Sequence, residues 1–498
     1  MDAAIIAQGK PAENALADTA WTGQSWRDKI RPSNVHIRAG TVVVRRDGMD
    51  KIEVLLVWLV AACIAPVCAY PGPGSNVPAI AFEDLLSLQR CLEIAVDNSN
   101  QIAITEGDVL KAEMGLKDAW SGFLPELHLS GGYNLTDRYN RFEWNENHYS
   151  LSLGASVSPF NGGRNFINTA KSRESLASAK QSLRLTETNL ALEVMSKYYN
   201  LLEASEILKL RKESLAQKRT HFEFARAQFD LGLVPRSDVL KAEVAVVAGE
   251  VDSLEADGNV GLAHAELNDA MGISLDHPTR IKPVMVTREA PPSAEECLDE
   301  ALKNRPELLQ QKSSLAIRKH NLKLARLERW PKLTISGSYN AYVDRFVFDG
   351  LPVNRTNWED NTDWRAGIGL SFPIFDGGVT RRAVRAARID LKESELSYSD
   401  WEKQVNLEVK SAHLSLVTAL RRIDLTEKEV ESAQESYNAA LGRYRTGVAP
   451  ITEAIDAAVA LSNSRVTNTR AIYDYLLARA WLSQAMGRLP YQAAGRSQ

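Results

Sequence analysis

Side chains able to act as metal ligands, nucleophiles or proton carriers are sparse in this chain. Its eight histidines and four cysteines show neither HxxxH nor CxxC spacing, so no metal site is read from them. No Ser/His/Asp set, Gly-rich phosphate loop or clustered ligand group is present. No catalytic residue and no cofactor is therefore expected, and an enzyme is the least favoured class. Cys91 and Cys297 sit on apolar helix stripes, beside Leu92 and Ala95 and beside Leu298 and Ala301, and read as small core residues. Cys63 differs: it follows Val60-Ala61-Ala62, a run like a bacterial lipobox, whose chemistry is lipidation of the cysteine thiol. The competing exit is Val67-Cys68-Ala69, an AxA-like cleavage site, and the sequence leaves both open. One further pair has chemical spacing. Glu453 and Asp456 stand at i, i+3, on one side of a helix. At a helix start, such a pair serves dipole and capping needs equally well.

The elements that would position these residues are long and duplicated. One helical arm runs from about Phe166 to Asp230 and turns at Leu231-Gly232-Leu233-Val234-Pro235; a second runs from Val379 to Arg445 and turns at Thr446-Gly447-Val448-Ala449-Pro450. The turns are related by a fixed offset, 447 − 232 = 215 and 450 − 235 = 215, which holds onward to Ala270-Met271-Gly272 and Ala485-Met486-Gly487. Val194, Leu201, Leu208 and Leu215 form a heptad row in one arm, and Val409, Leu416, Ile423 and Val430 in the other. Such rows keep one apolar seam on a supercoiled helix. A helix of about 65 residues spans roughly 100 Å at 1.5 Å per residue, too long for a compact domain. Function is therefore expected to concern distance.

Net charge is −4, which does not point to nucleic acid. Residues 1–48 show no periodicity and are read as an unstructured or mis-assigned extension, with Met49 an alternative start. Residues 49–69 carry the apolar run Val54 to Ala62, right for a signal peptide and too short for a spanning helix. Repeat one is placed at 81–272 and repeat two at 294–487, with an irregular, four-proline linker at 273–293 expected to belt the middle of the arms and a tail at 488–498. Each repeat opens with a helix ended by proline, from about Ala81 to Trp120 before Pro125 and from Ala294 to Arg329 before Pro331. These half-helices, with the return helices after the tips, are expected to stack beside the arms.

Two strands of roughly ten residues follow each proline. Leu127, Leu129, Gly131, Tyr133 and Leu135 alternate with small polar residues, as do Tyr149 to Val157, Leu333 to Tyr339 and Trp364 to Phe372. A polar, aromatic loop is expected at Asp137 to His148. Apolar on one face and small-polar on the other, the four strands fit a membrane β-barrel. Because lipid tolerates no open edge, chains must pool them. The competing reading is a soluble coiled-coil scaffold capped by a small sheet.

Taken together, the duplicated plan, the Pro159-Phe160-Asn161-Gly162-Gly163 and Phe375-Asp376-Gly377-Gly378 strand exits and the two tip motifs resemble the outer membrane efflux protein family over about residues 81–488. The resemblance implies a mainly α protein with a membrane β-barrel portion: a homotrimer with a twelve-stranded barrel in the outer membrane and a coiled-coil helical barrel through the periplasm. It implies a passive duct of an efflux or secretion system, docking on a periplasmic membrane-fusion adaptor and an inner-membrane pump. It also implies roles. Glu453 and Asp456 match the family's acidic channel constriction, which would attract cations. Tyr444 and Asp238 match a hydrogen bond that holds the gate shut, whereas Ala449 stands where a partner arginine is found. Gly232, Leu233, Val234, Gly447 and Val448 match adaptor-contact tips.

Overall fold

The computed structural model describes residues 35–38, 41–44, 85–140, 142–348, 351–353 and 362–488. They fall into two units, Met1–Asn76 and Val77–Gln498. In the first unit one antiparallel hairpin is described, β1 (Val35–Arg38) with β2 (Thr41–Val44), in the register Val35↔Val44. This corrects the expectation of no regular structure across 1–48: Thr41 to Val44 is β-branched throughout, which favours a strand. Residues 49–69, Cys63 among them, and the tail after residue 488 lie outside the described residues.

The second unit is the duplicated one. Repeat one comprises β3 (Leu85–Leu86), α1 (Leu88–Asn98), α2 (Asn100–Ser121), β4 (Glu126–Asn140), β5 (Phe142–Phe160), the arm α3 (Arg164–Asp230) and the return helix α4 (Arg236–Ala270). After β6 (Arg280–Ile281), repeat two runs α5 (Ala294–Asn304), α6 (Pro306–Leu327), β7 (Lys332–Phe348), β8 (Leu351–Val353), β9 (Thr362–Ser371), α7 (Val379–Arg445) and α8 (Ile451–Ala485). Both arms, α3 and α7, are continuous helices of 67 residues. Each starts from a pair of left-handed glycines, Gly162 and Gly163 or Gly377 and Gly378. At Gly162 the choice is forced twice: φ is +70°, and a Cβ would lie 2.7 Å from that of Trp330.

Two expected helices are broken. The first divides at Ser99, which ends α1 and caps α2, its side chain accepting from the Ile102 amide. The second divides at Arg305, where Pro306 takes the first helical position of α6. The breaks receive the return helices. The Asn98 amide donates to the Met271 carbonyl at 3.2 Å, and a Cβ on Gly487 would come within 2.7 Å of Asn304. So α4 stacks end to end with α2, and α8 with α6, each composite lying beside an arm.

The main core lies at this level. Val194, Tyr198 and Leu201 of α3, Val405, Val409, Leu416 and Ile423 of α7, and Leu267, Tyr475, Cys91 and Cys297 are buried in one cluster. Further toward the tips Leu208, Leu215 and Val430 are only half-buried. The linker crosses the arms here. Its expected irregularity is interrupted by β6, which pairs in parallel with β3. The Tyr198 hydroxyl donates to the Lys282 carbonyl at 2.6 Å, Tyr475 receives the Glu289 amide at 3.2 Å, and Arg288 pairs with Asp424 and Glu427. Arg305, nearly buried, binds Glu307 at 2.8 Å and Glu408 of α7, tying the second break to the arm.

The sheet runs β4-β5-β7-β9 with β8 also on β7, all neighbours antiparallel. The strands exceed the ten residues expected: β4 has 15, β5 has 19 and β7 has 17, and only β9 has 10. The expected loop at Asp137 to His148 is largely strand, pairing as far as Asn140↔Phe142. Its tyrosine, phenylalanine and tryptophan residues favour that state. A fifth, three-residue strand, β8, was not foreseen. Register sorts the faces. Gly131↔Leu151↔Ala341, Leu129↔Leu153↔Tyr339↔Trp364 and Ile335↔Ile368 make an apolar face, and Ser130↔Ser152↔Asn340↔Asp363 a polar one. Leu127, Leu129, Leu151, Ile368 and Leu370 are exposed, which leaves a continuous apolar face uncovered within one chain.

Leu151→Arg is expected to cost ~2–4 kcal/mol if the residue lies near the bilayer midplane. Ser152→Arg should lose only the 2.6 Å contact to Asn340, about 1 kcal/mol. Unfolding by denaturant in lipid vesicles checks this, and equal costs at the two positions would sink the lipid-facing assignment.

Candidate functional site

Both arms end at the same pole. α3 closes at Gly232, φ +73°, whose amide reaches the Phe229 carbonyl at 2.8 Å while Leu233 reaches Gln228 at 2.9 Å. α7 closes identically at Gly447, φ +74°, with Gly447 to Tyr444 at 3.0 Å and Val448 to Arg443 at 2.9 Å. This is the Schellman ending, which needs a left-handed residue after the helix. Pro235 and Pro450 then set the return helices. The turns push apolar side chains outward: Leu231 is 75% exposed, Leu233 69% and Val448 75%. Val234 is half-buried.

Behind the turns Ala225, Ala242, Tyr444, Ile451 and Ala454 form a small core that joins the two hairpins. The Phe224 ring stands edge-on to Tyr444, centroids 5.8 Å apart. Tyr444 is 3% exposed, and its hydroxyl is buried without a hydrogen-bond partner among the described residues. The expected bond to Asp238 is therefore not made. The carboxylate is near enough to act through space: burial first, and then the Asp238 charge, push the Tyr444 pKa up. Asp238 itself accepts from the Ser237 hydroxyl at 3.4 Å in the first turn of α4. The Tyr444 ring is held in the small core by Phe224, Ala225, Ala242 and Ala454, and in that position its hydroxyl has no bond to the carboxylate.

The carboxylate pair is also unequal. Glu453 is half-buried and forms an ion pair with Arg443 across the second turn. Asp456 is exposed and forms no ion pair among the described residues. Arg443 was missed from sequence, although its place in the last turn of α7, opposite the first turn of α8, is a legible cross-turn pairing. Also missed was His221, whose Nε2 meets the Tyr437 hydroxyl at 2.9 Å and so joins α3 to α7. Burial, and then Arg445, push its pKa down. Cys91 is fully buried, and burial pushes its thiol up to about 12, out of range for nucleophilic chemistry. Among the described residues no three His, Cys, Asp or Glu side chains are grouped to hold a metal.

Removing an unpartnered buried hydroxyl should not destabilise the tip. Tyr444→Phe is expected to leave the thermal midpoint unchanged or raise it, by up to ~1 kcal/mol in stability. A clear loss of stability would mean that the hydroxyl is bonded in solution.

Comparison with known proteins gives the architecture its context. Residues 92–273 and 297–488 match the outer membrane efflux protein family, and these two segments make up well over half of the chain. The chain is 24% identical over 409 residues to nodulation protein T of Rhizobium leguminosarum bv. trifolii, covering 78% of this chain and 82% of that one. It is 21% identical over 434 residues to outer membrane protein TolC of Vibrio cholerae, covering 86% and 96%. Its fold matches the CmeC outer membrane channel of Campylobacter jejuni with a TM-score of 0.69 at 18% identity, over 80% of this chain and 85% of that one. With its twin repeats, its amphipathic sheet and its two 67-residue arms, the chain belongs to the outer membrane efflux protein family and is an outer-membrane channel protein that extends into the periplasm.

Proposed function

We propose that three copies of this chain close into a passive duct, and that the duct docks by its tips on a periplasmic membrane-fusion adaptor and an inner-membrane pump. The observation that carries this reading is that, among the described residues, both margins of the chain are unpartnered. In the sheet, β4 and β9 each pair on one side only. In the tip half the helices lie in the order α4-α3-α8-α7, so α4 and α7 are the outer pair. α4 bears an exposed apolar row at coiled-coil spacing, Val244, Val247, Val251 and Leu254, and α7 exposes Leu407, Leu414 and Leu425. One margin differs from the other, so copies join head to tail and must close a ring. Three chains of four long strands give twelve, enough for a pore, whereas two give eight, whose interior fills with side chains. The long polar face then lines the lumen, and the exposed Leu231, Leu233 and Val448 face the adaptor.

Native mass measurement of the detergent-purified protein tests the assembly, with a particle of three chains expected. A stable, detergent-free monomer would return the protein to the scaffold reading.

At the tip, the constriction is assigned to Asp456 more than to Glu453, because Arg443 already neutralises Glu453 within the chain. Asp456→Ala should therefore remove most of the cation preference in planar bilayers. Glu453→Ala frees Arg443 beside Asp456 and leaves the same net charge, so it should lower the cation preference to a similar degree. If both variants keep the cation preference of the parent channel, the carboxylates only cap α8.

A further inference from the structure

The two repeats carry opposite chemistry at the same place in the fold. Where the sheet meets the arms, repeat one has an aromatic cluster: Trp120 and Phe123 at the end of α2 and Phe166 in the first turn of α3, with ring centroids 5.6 Å and 5.0 Å apart in turn. The matching residues of repeat two are all arginine. Arg326 and Arg329 follow by the offset of the opening helices (326 − 120 = 206, 329 − 123 = 206), and Arg381 by that of the arms (381 − 166 = 215). Arg382, Arg385 and Arg388 extend the group along α7, and the six line one cleft of about 570 Å³ between α6 and α7.

Within one chain all six are exposed, and among the described residues none is in a salt bridge. Arg382 donates only to the Gly377 carbonyl, at 3.2 Å. The two carboxylates nearby are largely engaged by other groups, although the Arg329 charge also acts on Asp376. Glu328 holds Arg164 at 2.7 Å and Lys332 at 3.7 Å, while Asp376 accepts the Gly378 and Thr380 amides at 2.9 and 2.8 Å. Arginines at i, i+3 and i, i+4 on one helix repel each other, so the cluster carries a cost that an anion would relieve. Guanidinium forks match phosphate oxygens best.

The surroundings identify the source of that phosphate. Between the end of β9 and the start of α7 lie Ile374 and Phe375, 90% and 89% exposed, and Trp330 beside Arg329 is also exposed. Exposed aromatic and aliphatic side chains followed directly by basic ones mark the headgroup level of a bilayer. We propose that this arginine cleft binds the phosphate headgroup of an anionic phospholipid in the periplasmic leaflet, while the equivalent aromatic site of repeat one takes only the uncharged interface. Around a closed ring the two kinds of site alternate. The inference rests on the sheet spanning the outer membrane.

The test uses the full chain purified as its assembled particle in detergent and exposed to phosphatidylglycerol, to phosphatidylcholine of the same acyl chains, and to inorganic phosphate. Lipid retained is read by native mass spectrometry. Phosphatidylglycerol should be retained at least roughly fivefold over phosphatidylcholine, from the scale of one guanidinium near a charged surface, and the preference should fall with salt. Gln at Arg381, Arg382, Arg385 and Arg388 together should abolish it, and Lys at the same four should keep most of it. Equal retention of the two lipids by the unaltered protein overturns the proposal. So does displacement of phosphatidylglycerol by millimolar inorganic phosphate, which would mark a site for a dissolved anion. If the Gln variant does not assemble, the salt dependence and phosphate competition of the unaltered protein decide. Failure of the unaltered chain to form a ring would count against the barrel instead, so the two failures are separable.

Discussion

Backbone hydrogen bonding in lipid is the constraint on which the rest of this structure depends. A strand inside hydrocarbon has no water to satisfy an unpaired amide or carbonyl, each of which costs several kcal/mol, about as much as a well-packed side chain contributes. The chain supplies a sheet with two open margins, β4 and β9. That sheet is tolerable in a membrane only when neighbours complete it. The same demand passes to the helices, because each strand runs into its arm through a short connection ending in a pair of left-handed glycines. Closing the sheet therefore brings α4 and α7 of adjacent chains together, and these helices carry the apolar rows that a single chain leaves bare.

Duplication solves the geometry twice and leaves the chemistry free to diverge. Both tips end in the same Schellman turn and both return helices start after proline, yet only the second tip holds an internal ion pair, Arg443 with Glu453. At the opposite end the turn into each arm is again shared, while aromatic residues of one repeat correspond in position to arginines of the other. The equatorial level is where the copies agree most. Cys91 and Cys297, Val194 and Val409, and Leu201 and Leu416 are buried in matching positions, because that level is packed within one chain and admits little variation.

The tip shows how a buried polar group can be held without being satisfied. Tyr444 contributes its ring to the small core that joins the hairpins, edge-on to Phe224. Burial, and then the nearby Asp238 charge, raise the pKa of that hydroxyl, but the carboxylate does not bond it. An unsatisfied group of this kind is a weak point in the small core that joins the two hairpins.

Sequence alone determined the arms, the faces of the sheet and the turns. Heptad rows report a seam of fixed period, alternation reports which residues of a strand share a face, and glycines at a constant offset report where the chain turns. Each is a local, periodic signal, and each is matched in the folded chain. The apolar stripe from Leu92 to Ile102 concealed the break at Ser99, because the stripe continues in phase while the cap is a single side-chain bond. Loss of alternation past Thr136 concealed the rest of β4 and β5, whose pairing is maintained by backbone ladders between neighbouring strands. Tyr444 and Asp238 stand in the right order for a bond, and Glu453 and Asp456 at the right spacing for a matched pair. Only the tertiary structure decided that the first bond is missing and that the second pair is split by Arg443. Periodicity sets the face on which a side chain lies; the partner it meets depends on the rotation of one helix against another, which packing alone decides.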